Sequence, residues 1–318
     1  MTPISRNDVV KAAERIAGCV VRTPLVETMI RGHRLWLKCE CLQTGGAFKL
    51  RGASNRLLLL SAAERARGVV AFSSGNHGQG VAIAARRLGL PATIVRPSDA
   101  PRIKLDATRA NGAEIVFFDR KTDSREAIAA KIAAQSGATL VPSFDDRHIV
   151  AGQGTVGLEI AEQLAMLGET PRQIVVPTGG GGLASGVALA CPGAAILCIE
   201  PEGWDDMRRS LECGVIVPVE ADAPLTLCDA LQTPRVSPIT FAILRARGVT
   251  ALSVSEAEIR AAIRFAWSEH QSVVEPGGAV ALAALMAGKV EVSEGTVAIL
   301  SGGNVDPELH ARIIASAE

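Results

Sequence analysis

Short apolar runs recur along the chain: GVVAF at 68–72, ATIVRP at 92–97, AEIVFF at 113–118, ATLVPS at 138–143, QIVVPT at 173–178, AILCIE at 195–200 and TVAILS at 296–301. Short runs rich in β-branched residues are the pattern of strands buried on both faces. Between most of them lie stretches with apolar residues at helical spacing, REAIAAKIAAQ and TVGLEIAEQLAML among them. Gly68, Gly89, Gly112 and Gly137 are placed to close helices, and Ser255 with Glu258 makes a capping box ahead of IRAAIRFAW. Strand, helix, strand implies parallel sheet, and buried parallel strands need helices on both faces. The pattern therefore predicts a doubly wound open-sheet α/β protein, built as two such units. Residues 68–146 read as one compact lobe, and 1–67 with 147–318 as the other. No internal repeat, low-complexity tract or Pro/Ser linker marks a boundary.

Composition narrows the class of partner. The 318 residues carry 33 basic and 33 acidic side chains, so no basic excess recommends nucleic acid or an anionic membrane. No apolar run approaches the length of a membrane span, and MTPISRNDVV has no signal pattern, so a cytoplasmic protein acting on a small molecule is expected. Seven cysteines without a CxxC pair read as reduced core thiols.

In an open α/β sheet the ligand lies beyond the carboxyl ends of the strands, so the turns after the apolar runs are the candidate site. Four are polar or glycine-rich: SSGNHGQG (73–80), TGGGGLASG (178–186), PEGWDD (201–206) and SGGNVDP (301–307), and all are expected to face one cleft. The tetraglycine Gly179, Gly180, Gly181 and Gly182 reads as a phosphate cradle, because consecutive glycines let backbone N–H groups surround an anion at a helix N-terminus. A competing pattern is present. Gly179, Gly181 and Ala184 satisfy GxGxxA, and Glu200 falls where a dinucleotide fold places its ribose-binding acid, so spacing alone allows a nicotinamide dehydrogenase. Ser73, Ser74, Gly75, Asn76 and His77 offer hydroxyl, amide, imidazole and backbone donors suited to a carboxylate; the plainer reading of any one of them is a helix cap.

Together, ECLQTGGAFKLRGA (40–53), SSGNHGQG, AGQGT (151–155), PTGGGGLASG, EPEGWDD (200–206), VEPGGA (274–279) and SGGNVD resemble the pyridoxal-phosphate enzymes of the serine/threonine dehydratase and serine racemase family. The match runs over essentially the full chain, in the family's order. The resemblance implies a tryptophan synthase β-like, fold type II architecture with the cofactor between a large domain (1–67 and 147–318) and a small mobile substrate domain (68–146). Lys49 matches the lysine that forms the Schiff base. The tetraglycine would hold the phosphate, Asn76 the pyridoxal hydroxyl, Phe48 would flank the ring, Ser301 would face the pyridine nitrogen, and Glu275 would join the cofactor site. A serine opposite that nitrogen makes the ring a weaker electron sink, which suits prompt loss of a β-leaving group.

The implied reaction is dehydration and deamination of a serine, threonine or 3-hydroxyaspartate to a 2-oxo acid and ammonia, with serine racemase as the alternative. Ser74 matches the racemase residue on the ring face opposite the lysine. Arg125 matches an arginine that reaches the far end of a substrate; turned inward it would favour 3-hydroxyaspartate, while a helix-surface arginine is the plainer reading. Glu200, Asp206 and the carbonyl of Trp204 match a magnesium or calcium site, against the reading of acids at a helix N-terminus. A homodimer is implied, and no appended effector module is expected. Two departures stand out: Gly45-Gly46-Ala47 replaces the usual Thr-Gly-Ser, and Ala230 in CDALQTP replaces the usual glycine. A cofactor-binding protein without turnover is the reading those departures would favour.

Overall fold

The computed structural model describes residues 3–73, 75–98, 108–119 and 122–316. Ten strands fall into two sheets. The larger contains β1 (Leu25–Ile30), β2 (His33–Lys38), β7 (Gln173–Pro177), β8 (Ala195–Pro201), β9 (Thr250–Val254) and β10 (Thr296–Ile299) in the order β1-β2-β10-β7-β8-β9. The smaller contains β3 (Val69–Phe72), β4 (Ala92–Pro97), β5 (Glu114–Phe118) and β6 (Thr139–Leu140) in the order β5-β4-β3-β6, all parallel.

The expectation of purely parallel sheets needs one correction. β1 and β2 pair antiparallel as a hairpin, with Arg31 at φ 52° and Gly32 at φ 80° in its two-residue turn. Two consecutive left-handed residues make the turn whose twist matches that of the flanking strands. β1 is an edge strand partly in water, and Glu27 and Thr28 interrupt its apolar residues, so it lacks a continuous apolar run. The run at 138–143 contributes only a two-residue strand before the chain turns toward the cleft.

Three helices that position Lys49 and the tetraglycine turn pack backbone to backbone. Lys49–Leu58 crosses Arg147–Met166 at Gly52 and Gly152, where a Cβ on Gly152 would lie 2.6 Å from the Cα of Gly52. The next helix, Gly182–Ala190, meets Arg147–Met166 where Gly186 faces Gly154. Both glycines of AGQGT are thus spent on close approach, which fixes the spacing between the start of the Lys49 helix and the tetraglycine turn. On the other face of the large sheet lies Pro276–Met286, apolar almost throughout and buried on every side. Among the described residues no helix is long and apolar enough to cross a membrane.

A buried ionic network locks the Lys49 helix in place. The Arg51 guanidinium forks onto Glu40 (2.8 Å to each oxygen) and onto Glu159 (2.6 and 2.9 Å). Lys38 reaches Glu159 at 2.6 Å, and the Thr23 hydroxyl donates to Glu40 at 2.5 Å. Arg51, Lys38 and Glu40 are wholly buried. Charges so placed are tolerable only because each finds several partners.

Candidate active site

A cleft of about 830 Å³ opens beyond the carboxyl ends of β3, β7 and β10. Lys49 and Phe48 line it, as do Ser73, Gly75, Asn76 and His77 after β3, Gly179 to Gly182 after β7, and Glu275, Ser301 and Arg125. Ser74 lies outside the described residues. One turn expected in the cleft is elsewhere: none of 201–206 lines it, because the 229–238 segment forms that wall and the Pro201–Asp206 turn sits behind it. Glu200 is likewise turned away, its carboxylate accepting the backbone N–H groups of Met207 and Arg208, where it cannot meet a ribose in the cleft.

Lys49 begins its helix; among the described residues its Nζ makes one hydrogen bond, a long one of 3.4 Å to the Ser143 carbonyl, and lies 5.1 Å from the centroid of the Phe48 ring. Burial lowers its pKa to about 8, with the nearby Glu275 carboxylate opposing that shift. The outcome is an amine easily freed of its proton and not tied to a partner, as a nucleophile or base needs.

Among the described residues no side chain caps the helix that the tetraglycine turn opens. Gly181 is the N-cap at φ 83°, with no side-chain cap, and the first backbone bond into the helix comes from Ser185 N–H to Gly181 O. The N–H groups of the first turn are therefore left for an anion. Of the four glycines only Gly181 is left-handed; the others are small for steric reasons. A Cβ on Gly180 would strike the Phe144 ring, one on Gly182 would lie 3.0 Å from Phe144 Cβ, and one on Gly179 3.0 Å from Thr233 Oγ1. Free donors, a small-residue cradle and an unpaired lysine on one cleft fit a cofactor bearing a phosphate and an aldehyde.

Around Lys49 the polar groups are held firmly. Asn76 donates to Glu275 at 2.5 Å and accepts from Asn304 at 2.8 Å. His77 is neutral, its pKa pushed down to about 3 by burial and by Lys49, with Nε2 2.9 Å from the Val141 carbonyl. The Gly45-Gly46 departure also has a backbone cause. Both residues are left-handed, and a Cβ on Gly45 would lie 2.6 Å from Ile83 Cδ1, so threonine does not fit this loop.

Behind the cradle, Glu200 and Asp206 are buried side by side. Burial and the Asp206 charge push Glu200 well above the carboxylate range, and burial raises Asp206 to about 7. Neither Asp206 oxygen makes a hydrogen bond of normal geometry, although the Asp206 and Val236 amides lie close enough to favour the ion. Trp204 sits between the two acids in the chain, its indole donating to the Pro224 carbonyl. Neither acid forms an ion pair among the described residues, and the Arg209 charge acts on Asp206 only from its pair with Asp205, so the two desolvated carboxylates fit a hard cation. Asp205 is excluded from such a role by its ion pairs to Arg208 and Arg209.

Arg125 starts the helix Arg125–Ser136 and turns into the cleft, its guanidinium 5.6 Å from the centroid of the Phe72 ring and 2.9 Å from Glu126. Sequence reasoning missed Arg235, which lines the same cleft, is exposed, and makes no ion pair or side-chain hydrogen bond among the described residues. Its signal was the segment between Pro234 and Pro238, just past the quoted CDALQTP. Phe144 and Asp145, also in the lining, follow β6 and were open to the same rule about strand ends. The cysteine expectation holds for Cys39, Cys41, Cys191, Cys198 and Cys228; Cys19 is half-buried and Cys213 exposed at a helix end.

Known proteins agree with this geometry. A family model described as pyridoxal-phosphate dependent enzyme matches residues 16–302, and the chain belongs to that family. It is 44% identical to the L-threo-3-hydroxyaspartate ammonia-lyase of Pseudomonas sp over 98% of each chain. It is 38% identical to the serine racemase of Schizosaccharomyces pombe over 97% of each. Among solved structures, the T.th. threonine deaminase superposes with a TM-score of 0.88 at 41% identity, over 95% of this chain and 99% of that one. The nicotinamide alternative is thereby discarded, and the GxGxxA match is incidental.

Proposed function

We propose that the protein is a pyridoxal-phosphate-dependent ammonia-lyase whose preferred substrate is a hydroxy amino acid with a second carboxylate, 3-hydroxyaspartate. The observation that carries the substrate choice is a pair of guanidiniums, Arg125 and Arg235, in the lining of the cleft that holds Lys49. Beyond the α-carboxylate, which the Ser73 loop receives, serine or threonine offers such cations no second anion, whereas a distal carboxylate accepts their forked N–H groups. The hydroxyaspartate lyase among the relatives supports this reading.

Bound in the cleft, pyridoxal phosphate supplies an aldehyde that condenses with amines and a ring that draws electrons from the α-carbon. The glycine turn and the helix end behind it would hold the phosphate, Phe48 would flank the ring, Asn76 would meet its hydroxyl and Ser301 its nitrogen. The loop of Ser73, Gly75 and His77 receives the substrate's α-carboxylate. Lys49, whose pKa burial lowers to about 8, removes the α-proton as the free amine. The α C–H and β C–O bonds break, a C=C bond forms and water leaves; the released enamine takes up water to give a 2-oxo acid and ammonia. Ser74 is the acid or base of the opposite face. Glu200, Asp206 and the Trp204 carbonyl bind magnesium or calcium, and the chain works as a homodimer. Arg125→Gln and Arg235→Gln test the substrate choice. Each is expected to raise KM for 3-hydroxyaspartate about tenfold or more, for a charge-assisted pair, with little change for serine; equal effects on both substrates would refute it.

A further inference from the structure

Behind the tetraglycine turn, on the side away from the cleft, lies the first turn of the helix Pro238–Ala246. Thr240 in that turn is wholly buried and does not line the cleft. Its Oγ1 lies 2.8 Å from the Gly180 carbonyl oxygen, and the Ser237 N–H donates to the same hydroxyl at 3.2 Å. The Ser237 hydroxyl at 3.0 Å and the Ser237 carbonyl at 3.2 Å also border the Thr240 hydroxyl, and the Gly180 carbonyl is the nearest acceptor for its proton. The carbonyl of Thr240 in turn accepts from Ser185 at 3.3 Å, tying it to the helix that the glycines open. Thr240 also walls in Gly181: a Cβ there would lie 3.0 Å from Thr240 Cβ and 2.8 Å from Met207 Cε.

The Gly180 carbonyl and the Gly181 N–H belong to one peptide plane and, in a trans peptide, point in opposite directions. A hydroxyl that holds the carbonyl on the outer side therefore aims the N–H at the cleft. We propose that Thr240 is a positioning residue for the cofactor's phosphate, acting through the Gly180–Gly181 peptide. The proposal rests on the family assignment. Without the hydroxyl, the left-handed glycine is free to rotate its peptide, and the outward carbonyl, buried and unpaired, favours that rotation. An oxygen would then replace a donor at the phosphate.

The test compares binding of pyridoxal 5'-phosphate with that of pyridoxal, which lacks the phosphate, by absorbance and fluorescence titration of the full chain. Thr240→Val removes the hydroxyl at nearly constant shape, Thr240→Ala removes it with less bulk, and Thr240→Ser restores it. Expected are a roughly tenfold or greater loss of pyridoxal phosphate affinity in the Val and Ala variants, unchanged pyridoxal affinity, and recovery to within about twofold in Ser. Parental phosphate affinity in the Val and Ala variants, or equal loss of both ligands, would overturn the proposal. Failure of the parent chain to bind pyridoxal phosphate would instead contradict the family reading, so the two failures are distinguishable.

Discussion

Replacing Arg51 by methionine probes the buried network that fixes the Lys49 helix. The guanidinium carries four bonds to two carboxylates, between 2.6 and 2.9 Å, a fifth to Thr155 at 3.2 Å and a sixth to the Val21 carbonyl at 3.3 Å. Methionine keeps much of the volume but leaves Glu40 wholly buried with one hydroxyl bond, from Thr23, and no adjoining cation of its own. Breaking a buried pair in this one-sided way costs about 3–5 kcal/mol, against a total stability of about 5–15 kcal/mol for a folded domain. The acid side follows from Glu159. Burial raises its pKa, but the bonds and charges of Arg51 and Lys38 prevail and leave it below the usual value. A lowered folded pKa contributes stability above the unfolded pKa that is lost as pH falls through the folded one, so Arg51→Met should raise the pH at which acid unfolding begins. The assay is urea unfolding near neutral pH for Arg51→Met, Glu40→Gln and the double variant. The double variant should be less destabilised than the sum of the singles by about 1–3 kcal/mol, because removing both partners leaves no lone buried charge. A loss below about 1 kcal/mol for Arg51→Met, or strict additivity, would refute the reasoning.

Lys49→Ala should abolish borohydride trapping of the cofactor, and trapping at a different lysine would contradict the assignment. In cofactor-free protein, Lys49 has its pKa depressed from 10.5 to about 8, so stability should rise with pH between those values and cofactor uptake should quicken as pH passes about 8; stopped-flow absorbance reads the second effect. Gly180→Ala should lose cofactor affinity at least tenfold through the clash with Phe144, with recovery when Phe144 is also shortened to leucine. Magnesium or calcium should raise the thermal midpoint of the parent chain and leave Asp206→Asn unmoved, whereas equal shifts in both would argue against Glu200 and Asp206 as ligands.

The parts of the molecule legible in the sequence were those whose local chemistry is self-contained. Buried parallel strands such as β7 and β8 advertise themselves as apolar runs, and the tetraglycine and Lys49 stand in motifs that need no distant partner to be noticed. What stayed hidden depended on tertiary placement. β1, LVETMI, lies at the sheet edge and its apolar run is broken by Glu27 and Thr28, while β2, HRLWLK, offers an apolar run of only three residues. Position beyond a strand's carboxyl end placed Pro201–Asp206 in the cleft on paper, yet the 229–238 segment, far along the chain, occupies that wall. Arg125 could not be assigned to a surface or a pocket by helical spacing, since its direction is decided by Phe72 across the lobe. Arg235 and Thr240 lie in a stretch whose one signal is its flanking prolines; Arg235 is revealed by its place in the cleft lining and Thr240 by its hydrogen bonds. The four glycines were read for their freedom to turn; three are instead required by the side chains behind them.

The most direct test of the account is the release of 2-oxo acid by purified protein with pyridoxal phosphate and magnesium, across the 3-hydroxyaspartate isomers and both enantiomers of serine and threonine. Two guanidiniums in the cleft predict that kcat/KM for one hydroxyaspartate isomer exceeds that for serine and threonine by at least an order of magnitude, the worth of one charge-assisted pair. Equal or better turnover of serine or threonine would contradict it.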